Sequence, residues 1–142
     1  MILQRLTLYN FRQYYGRHEL SLEPRGNNNV VIVHGGNGSG KTALLNAFRW
    51  VLYGKIDMPS PLRIFSNRAL DELPIGEKLE TSVTLEFEND ECTYFLVRSA
   101  QFLRKGDTGH EVLGRDIVRL SKTGEDGQNS IVYNPSDNIN LI

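Results

Sequence analysis

Apolar and polar residues alternate from Ile2 to Tyr9, with Ile2, Leu6 and Leu8 on one face and Arg5 and Thr7 on the other. This period of two predicts a first strand, ended by Asn10-Phe11-Arg12. After Gly16 the run Arg17–Leu22 alternates again and is expected to pair back as a hairpin. Pro24–Asn29 reads as a loop. The continuous apolar run Val30-Val31-Ile32-Val33 predicts a buried strand. From Lys41 to Tyr53 the period changes to that of a helix. Leu44, Ala47, Phe48, Val51 and Leu52 fall at i, i+3, i+4, i+7 and i+8, and Leu45, Trp50 and Tyr53 widen the apolar surface. Asn46 and Arg49 remain as the polar strip, so the helix is expected to pack on more than one side. Gly54 stands where a helix-ending glycine belongs.

The second half reads mostly as strand. Lys55–Glu77 contains Pro59, Pro61 and Pro74, so it is a loop, with a short helix over Ser66–Leu73 and Ser66 as its N-cap. Val83, Leu85 and Phe87 then alternate with polar residues, and Asn89-Asp90 offers a two-residue turn. That turn would set Phe87 opposite Cys92, Leu85 opposite Tyr94 and Val83 opposite Leu96. A longer hairpin follows, Tyr94–Leu103 and Glu111–Leu120 with its turn at Lys105–Gly109. Thr123–Gly127 is another turn and Ser130–Tyr133 a last strand. Asn134–Ile142 shows no pattern.

Between the apolar run and the helix lies Gly35-Gly36-Asn37-Gly38-Ser39-Gly40-Lys41-Thr42, which fits the P-loop pattern G-x-x-x-x-G-K-[ST]. Glycines let successive backbone N–H groups turn into one concavity, an anion nest. The helix behind it directs its N-terminal dipole to the same place. Lys41 can reach the β- and γ-phosphates of a nucleotide, and the Thr42 hydroxyl can hold Mg²⁺. The candidate nucleotide site is therefore Gly35 to Thr42 (Gly35, Gly36, Asn37, Gly38, Ser39, Gly40, Lys41 and Thr42) with Ala43 behind it, and Thr42 is the metal ligand. A bare glycine-rich turn carrying Lys-Thr is the alternative. Four glycines in six positions argue against it, since glycine weakens a helix start unless something must approach closely.

Composition narrows the class. A chain of 142 residues suits one domain, and 23% charged residues with a net charge of −1 place it among globular proteins without a basic excess. The single Cys92 excludes an internal disulfide framework. No apolar run has membrane-span length and no signal-peptide pattern opens the chain, so a cytoplasmic, nucleoid-associated location is expected. His18, His34 and His110 show no metal-ligand spacing.

The opening "LTLYNFR", the loop G-x-N-G-S-G-K-T and the following "LLNAFRWVLYG" resemble the first lobe of SMC-like ABC ATPase heads, the group of SbcC, RecN, RecF and DndD-like proteins. "NFRQYYGRHEL" and "LYGK" are most similar to DndD-like and SbcC-like members. The resemblance spans roughly Met1–Arg98. It implies that Arg12 reaches the nucleotide phosphates and that Asn37 lines the γ-phosphate site facing a second head. Taken alone, Arg12 would be surface and Asn37 a turn residue tolerating positive φ. It also implies that the Lys55–Glu77 excursion borders the adenine, where Ile64 or Phe65 either touch the base or simply pack.

The hydrolysis half is missing from the sequence. Leu120-Ser121-Lys122-Thr123-Gly124-Glu125 resembles the ABC signature with one residue too many and falls in a turn. Leu85-Glu86-Phe87-Glu88 lacks the apolar run of a Walker B strand, and Gln13 and Gln101 come too early for a glutamine loop. The expected fold is α/β: a P-loop NTPase lobe with a central sheet around the Lys41–Tyr53 helix and an antiparallel β subdomain at about 79–133. The expected function is the ATP-binding lobe of an SMC-like ATPase, with ATP and Mg²⁺ as cofactors. It would hydrolyse ATP only with its C-terminal lobe and a second head, acting on DNA in repair or phage defence, with a nuclease or other protein as further partner. A transporter-type nucleotide-binding domain and a small P-loop kinase are the alternatives. Asn10-Phe11-Arg12 and the lack of an adenine-stacking aromatic before the P-loop speak against the first, the lack of an Arg-rich lid against the second. Arg104, Lys105, Arg115 and Arg119, in a locally basic stretch, are candidate DNA-phosphate contacts; the alternative is a charged sheet face that discourages edge aggregation.

Overall fold

The computed structural model describes residues 1–56, 61–107, 110–124 and 126–133, with the backbone alone at 61, 62, 110 and 115. Six strands form one antiparallel sheet: β1 (Ile2–Phe11), β2 (Tyr14–Ser21), β3 (Lys78–Asn89), β4 (Cys92–Arg104), β5 (His110–Thr123) and β6 (Asn129–Tyr133). Their spatial order is β2-β1-β3-β4-β5-β6. The expected central sheet and antiparallel subdomain are thus continuous, because β3 pairs along β1 from Ile2↔Glu88 to Tyr9↔Ser82. The connection between β2 and β3 carries the P-loop, the helix α1 (Lys41–Tyr53), a 3₁₀ turn (Pro61–Ile64) and the short helix α2 (Asn67–Glu72).

One face of the sheet is apolar and α1 lies on it. Leu6 and Leu8 of β1, Val83 and Leu85 of β3, and Ala100 and Phe102 of β4 are buried together with Ala47, Trp50 and Val51 of the helix. Trp50 stacks on Phe11 at a ring separation of 5.6 Å, and Phe65 meets Phe102 at the same distance. The helix limits and the closing Gly54, in the left-handed region at φ 67°, match the pattern. The buried face does not. It consists of Ala43, Asn46, Ala47, Trp50 and Val51, one position round from the predicted stripe, and Asn46 is only 8% exposed. Helical periodicity fails to fix the orientation of a helix that is apolar on nearly every side. Here Trp50, the largest side chain, takes the sheet, while Leu45, Leu52 and Tyr53 are left exposed.

Two further expectations are corrected. The β3–β4 turn is Asp90-Glu91, both at positive φ (49° and 61°), as a two-residue turn matching strand twist requires. Asn89 therefore faces Cys92, Phe87 faces Tyr94 and Leu85 faces Leu96. The register is two residues from the predicted one, so every side chain keeps its face; Phe87 and Tyr94 stack at 5.2 Å. The larger correction concerns Val30–Val33, which forms no strand and is exposed, Ile32 by 85%. An apolar run of this kind is stable as a strand when both faces are covered and both edges paired, and the antiparallel sheet offers it neither. The expected turn residues Thr108 and Gly109, and the pattern-free Asn134–Ile142, lie outside the described residues.

Candidate functional site

The loop before α1 has the features of an anion cradle. Gly38 and Gly40 have φ of 82° and 101°, where a side chain is strained. A Cβ at Gly35 would lie 2.5 Å from the Ser39 hydroxyl, so any other residue there would force Ser39 to shift. The Ser39 N–H donates to the Gly36 carbonyl at 3.2 Å. Lys41 Nζ folds back and donates to the Gly35 carbonyl and, at 2.7 Å, to that of Gly36. Its ammonium thus hangs over the loop at the positive end of the helix. Asn37, Lys41 and Thr42 are exposed, Ala43 is buried beneath them, and Asn37 is not in the left-handed region. The loop thus makes no use of asparagine's tolerance of positive φ.

Arg12 stands in the turn between β1 and β2. The β1–β2 turn runs antiparallel to Ile64–Ser66: Arg12 N–H donates to the Ile64 carbonyl and Ser66 N–H to the Asn10 carbonyl, each at 2.8 Å, around a Phe11↔Phe65 bridge. Asn10, buried, accepts the Gly16 N–H on its side-chain oxygen at 2.9 Å. Asn10 and Arg12 both have positive φ, 47° and 53°. For arginine this costs about 1–2 kcal/mol, so surrounding bonds hold the turn in a shape it would not choose. The guanidinium Nη1 of Arg12 is buried and has no hydrogen-bond partner. Buried polar groups without partners are rare and point to a ligand or an ordered solvent.

Arg12 lines a cleft of about 830 Å³ with Gln13, Tyr15, Arg63, Phe65, Ser66, Asn67 and Arg68. Ile64 and Phe65 themselves are core residues, 6% and 1% exposed, so their side chains pack. The sequence did not single out Arg63, Arg68 or Tyr14. Arg68 lies 4.2 Å above the Tyr15 ring and donates to Glu72 at 3.0 Å, while the Tyr15 hydroxyl bonds the same carboxylate. A cleft closed by a turn and a distant 3₁₀ segment leaves no periodicity to read. Ser66 caps α2 by position alone, with no side-chain bond to the helix.

The four basic residues considered for DNA do not form one surface. Arg104 Nη1 donates to the Leu73 carbonyl at 2.6 Å, and its backbone bonds both Gly76 and Glu77, which sews β4 to the α2–β3 loop. Lys105 pairs with Glu111. Arg104 shares the inner face with Phe102, whereas Arg119, opposite Val97, is exposed on the outer face. The side chain of Arg115 lies outside the described residues. Among the described residues no cluster of three His, Cys, Asp or Glu side chains could hold a metal ion. No described helix is long and apolar enough to cross a membrane.

A glycine-rich loop with the P-loop pattern, opening a helix that rests on a sheet, gives the class: an α/β P-loop NTPase lobe of the ABC-ATPase head kind. The family model AAA_23, described as an AAA domain, matches residues 5–142, and the chain belongs to that family. Over 98 residues it is 34% identical to a DNA double-strand break repair Rad50 ATPase of Pyrococcus abyssi, covering 69% of this chain and 10% of that protein. Over 103 residues it is 29% identical to the SbcC component of nuclease SbcCD of Staphylococcus aureus, covering 72% and 10%. A solved structure described under "ATP-driven dimerization and DNA stimulated activation of SMC ATPases" shares the fold with a TM-score of 0.50 at 18% identity, over 92% of this chain and 68% of that one. The chain spans about a tenth of the length of these curated relatives.

Proposed function

We propose that this chain is the ATP-binding N-terminal lobe of an SMC-like ATPase acting on DNA, in repair or phage defence. The observation that carries the reading is the glycine-rich loop folded beneath Lys41 and joined to the turn that carries Arg12 by the Tyr14 hydroxyl on the Gly40 carbonyl; Arg12 Nη1 is buried without a partner. The residues present fit a nucleotide phosphate, since Gly36 and Gly38 have open space where a side chain would stand, and Lys41 supplies a positive charge over the loop. Loop N–H groups and Lys41 would neutralise the phosphates, Arg12 would add a second positive charge, and Thr42 would hold Mg²⁺. Asn37 would face a second head across the γ-phosphate. The likeness to a DNA double-strand break repair Rad50 ATPase and to a subunit of nuclease SbcCD supports DNA as the macromolecular partner and a nuclease in the assembly; a homodimer of heads is the arrangement this reading adds.

Hydrolysis would come from a C-terminal lobe. A cradle for ground-state phosphate does not position water in the transition state. Val30–Val33 and the exposed flank of α1, Leu45, Leu52 and Tyr53, are the surface such a lobe would cover. Val30–Val33 would become a strand on pairing with it.

The test is Lys41→Ala. Lys41 is exposed and touches only loop carbonyls, so the variant should keep its circular dichroism and melting temperature while Mg·ATP binding is lost. A folded Lys41→Ala protein with wild-type nucleotide affinity would remove the P-loop assignment.

A further inference from the structure

The β1–β2 turn and the P-loop touch at Gly40. Tyr14, the first residue of β2, donates its hydroxyl to the Gly40 carbonyl at 3.3 Å. The same carbonyl accepts the Leu44 N–H at 3.0 Å, the bond that starts α1. The approach is close: a Cβ at Gly40 would stand 2.5 Å from the Tyr14 hydroxyl and 3.3 Å from Gln13 Nε2. The Tyr14 ring is held on its other side by His18, edge-on at 5.4 Å. Burial pushes the phenol pKa above its ordinary value, so the hydroxyl remains a donor across the working range.

Tyr14 sits two residues after Arg12. The Arg12 backbone is fixed from behind by its bond to Ile64, and Tyr14 fixes the same turn from the front, against the loop that carries Lys41. We infer that Tyr14 is a positioning residue for nucleotide binding: its bond to the Gly40 carbonyl sets the separation between the Arg12 guanidinium and the P-loop amides, so that both engage one polyphosphate. The inference rests on the nucleotide-site reading above. Two anchors that are already spaced for a ligand bind it with less ordering cost than two that must find each other. Without the hydroxyl both anchors remain, but their spacing is no longer held.

A double-mutant cycle on the full-length protein tests this, with Mg·ATP affinity of wild type, Tyr14→Phe, Arg12→Ala and the double variant measured by displacement of a fluorescent ATP analogue. Tyr14→Phe is isosteric apart from one oxygen, and circular dichroism checks its fold. The expected result is about five-fold weaker binding in Tyr14→Phe, the size of one neutral hydrogen bond. In the Arg12→Ala background the same change should weaken binding by less than about two-fold, because the anchor it positions is gone. A merely structural tyrosine would weaken both backgrounds equally, and that additive outcome overturns the inference, as does unchanged affinity in Tyr14→Phe. Lys41→Ala is measured alongside: if it and Arg12→Ala both bind ATP like wild type, the nucleotide site itself is wrong and the role of Tyr14 falls with it.

Discussion

Trp50 donates its indole N–H to the Asp116 carboxylate at 2.8 Å, tying the last turn of α1 to β5 across 66 positions of sequence. Arg98 of β4 completes the group, its guanidinium 3.7 Å from the same oxygen and tucked against Gly54 at the end of the helix. The positive charge there faces the negative end of the helix dipole. Asp116→Ala should therefore cost about 1.5–3 kcal/mol, the range for hydrogen bonds to charged groups, and leave the half-buried Arg98 without its counter-charge. Urea unfolding measures it; a midpoint equal to wild type would show that solvent replaces Asp116 without loss.

The Tyr15–Arg68–Glu72 group sets a pH window. Hydrogen bonds from Tyr15 first and Arg68 second hold the Glu72 carboxyl below its ordinary 4.5, and the same bond to Glu72 holds the Tyr15 phenol above 10.0. For the depressed carboxyl, the linked stability is present above the unfolded value near 4.5 and is lost as pH falls through the lower folded one. For the raised phenol, it is present below 10.0 and lost as pH rises through the higher folded value. NMR titration of Glu72 should give a midpoint below 4.5 that climbs towards it in Tyr15→Phe. A midpoint that ignores this substitution would mean that the two side chains are not bonded in solution.

Ile32→Asp separates the isolated lobe from its assembly. Ile32 is 85% exposed, so the substitution should change the melting temperature of this chain very little. The chain alone should bind ATP weakly and turn it over at a negligible rate. Supplying the C-terminal lobe in trans should restore turnover to the wild-type chain and fail with Ile32→Asp, because a carboxylate cannot enter a buried strand unpaired. Equal rescue of both would place the lobe contact elsewhere.

DNA binding can now be tested residue by residue. Arg119→Glu removes an exposed outer-face charge and should lower the salt slope of DNA binding by about one, with ATP affinity unchanged. Arg104→Glu should lower the melting temperature, since Arg104 sews β4 to the Leu73 carbonyl. A salt slope that stays at the wild-type value in Arg119→Glu would make that residue ordinary surface.

The sheet was readable where its pattern was one-sided. Alternation at Val83, Leu85 and Phe87 gave the correct face even with the turn misplaced, because an error of two residues preserves parity. The P-loop was readable because its glycines answer a local backbone demand. Val30–Val33 misled, since an apolar run says that a segment wants covering and nothing about whether the cover lies in the same stretch of chain. The rotation of α1 misled for the related reason that an all-round apolar helix has no preferred side in sequence. The cleft of Arg12, Arg63 and Arg68 joins segments some fifty residues apart through backbone bonds such as Arg12 to Ile64, and backbone bonds leave no residue signature.

The strand order has a consequence for synthesis on the ribosome. Every neighbour in the sheet is also next in sequence except β1 and β3, between which the whole P-loop connection passes. The β1–β2 hairpin can form as soon as it emerges, but α1 gains its floor only when β3 closes onto β1. That single long-range closure traps the helix, and the hairpins after it add by local contacts, a fast kind of growth. The lobe can thus be a finished platform early in translation while Val30–Val33 stays greasy and uncovered. While it is uncovered, that segment offers the nascent chain's natural grip for a chaperone.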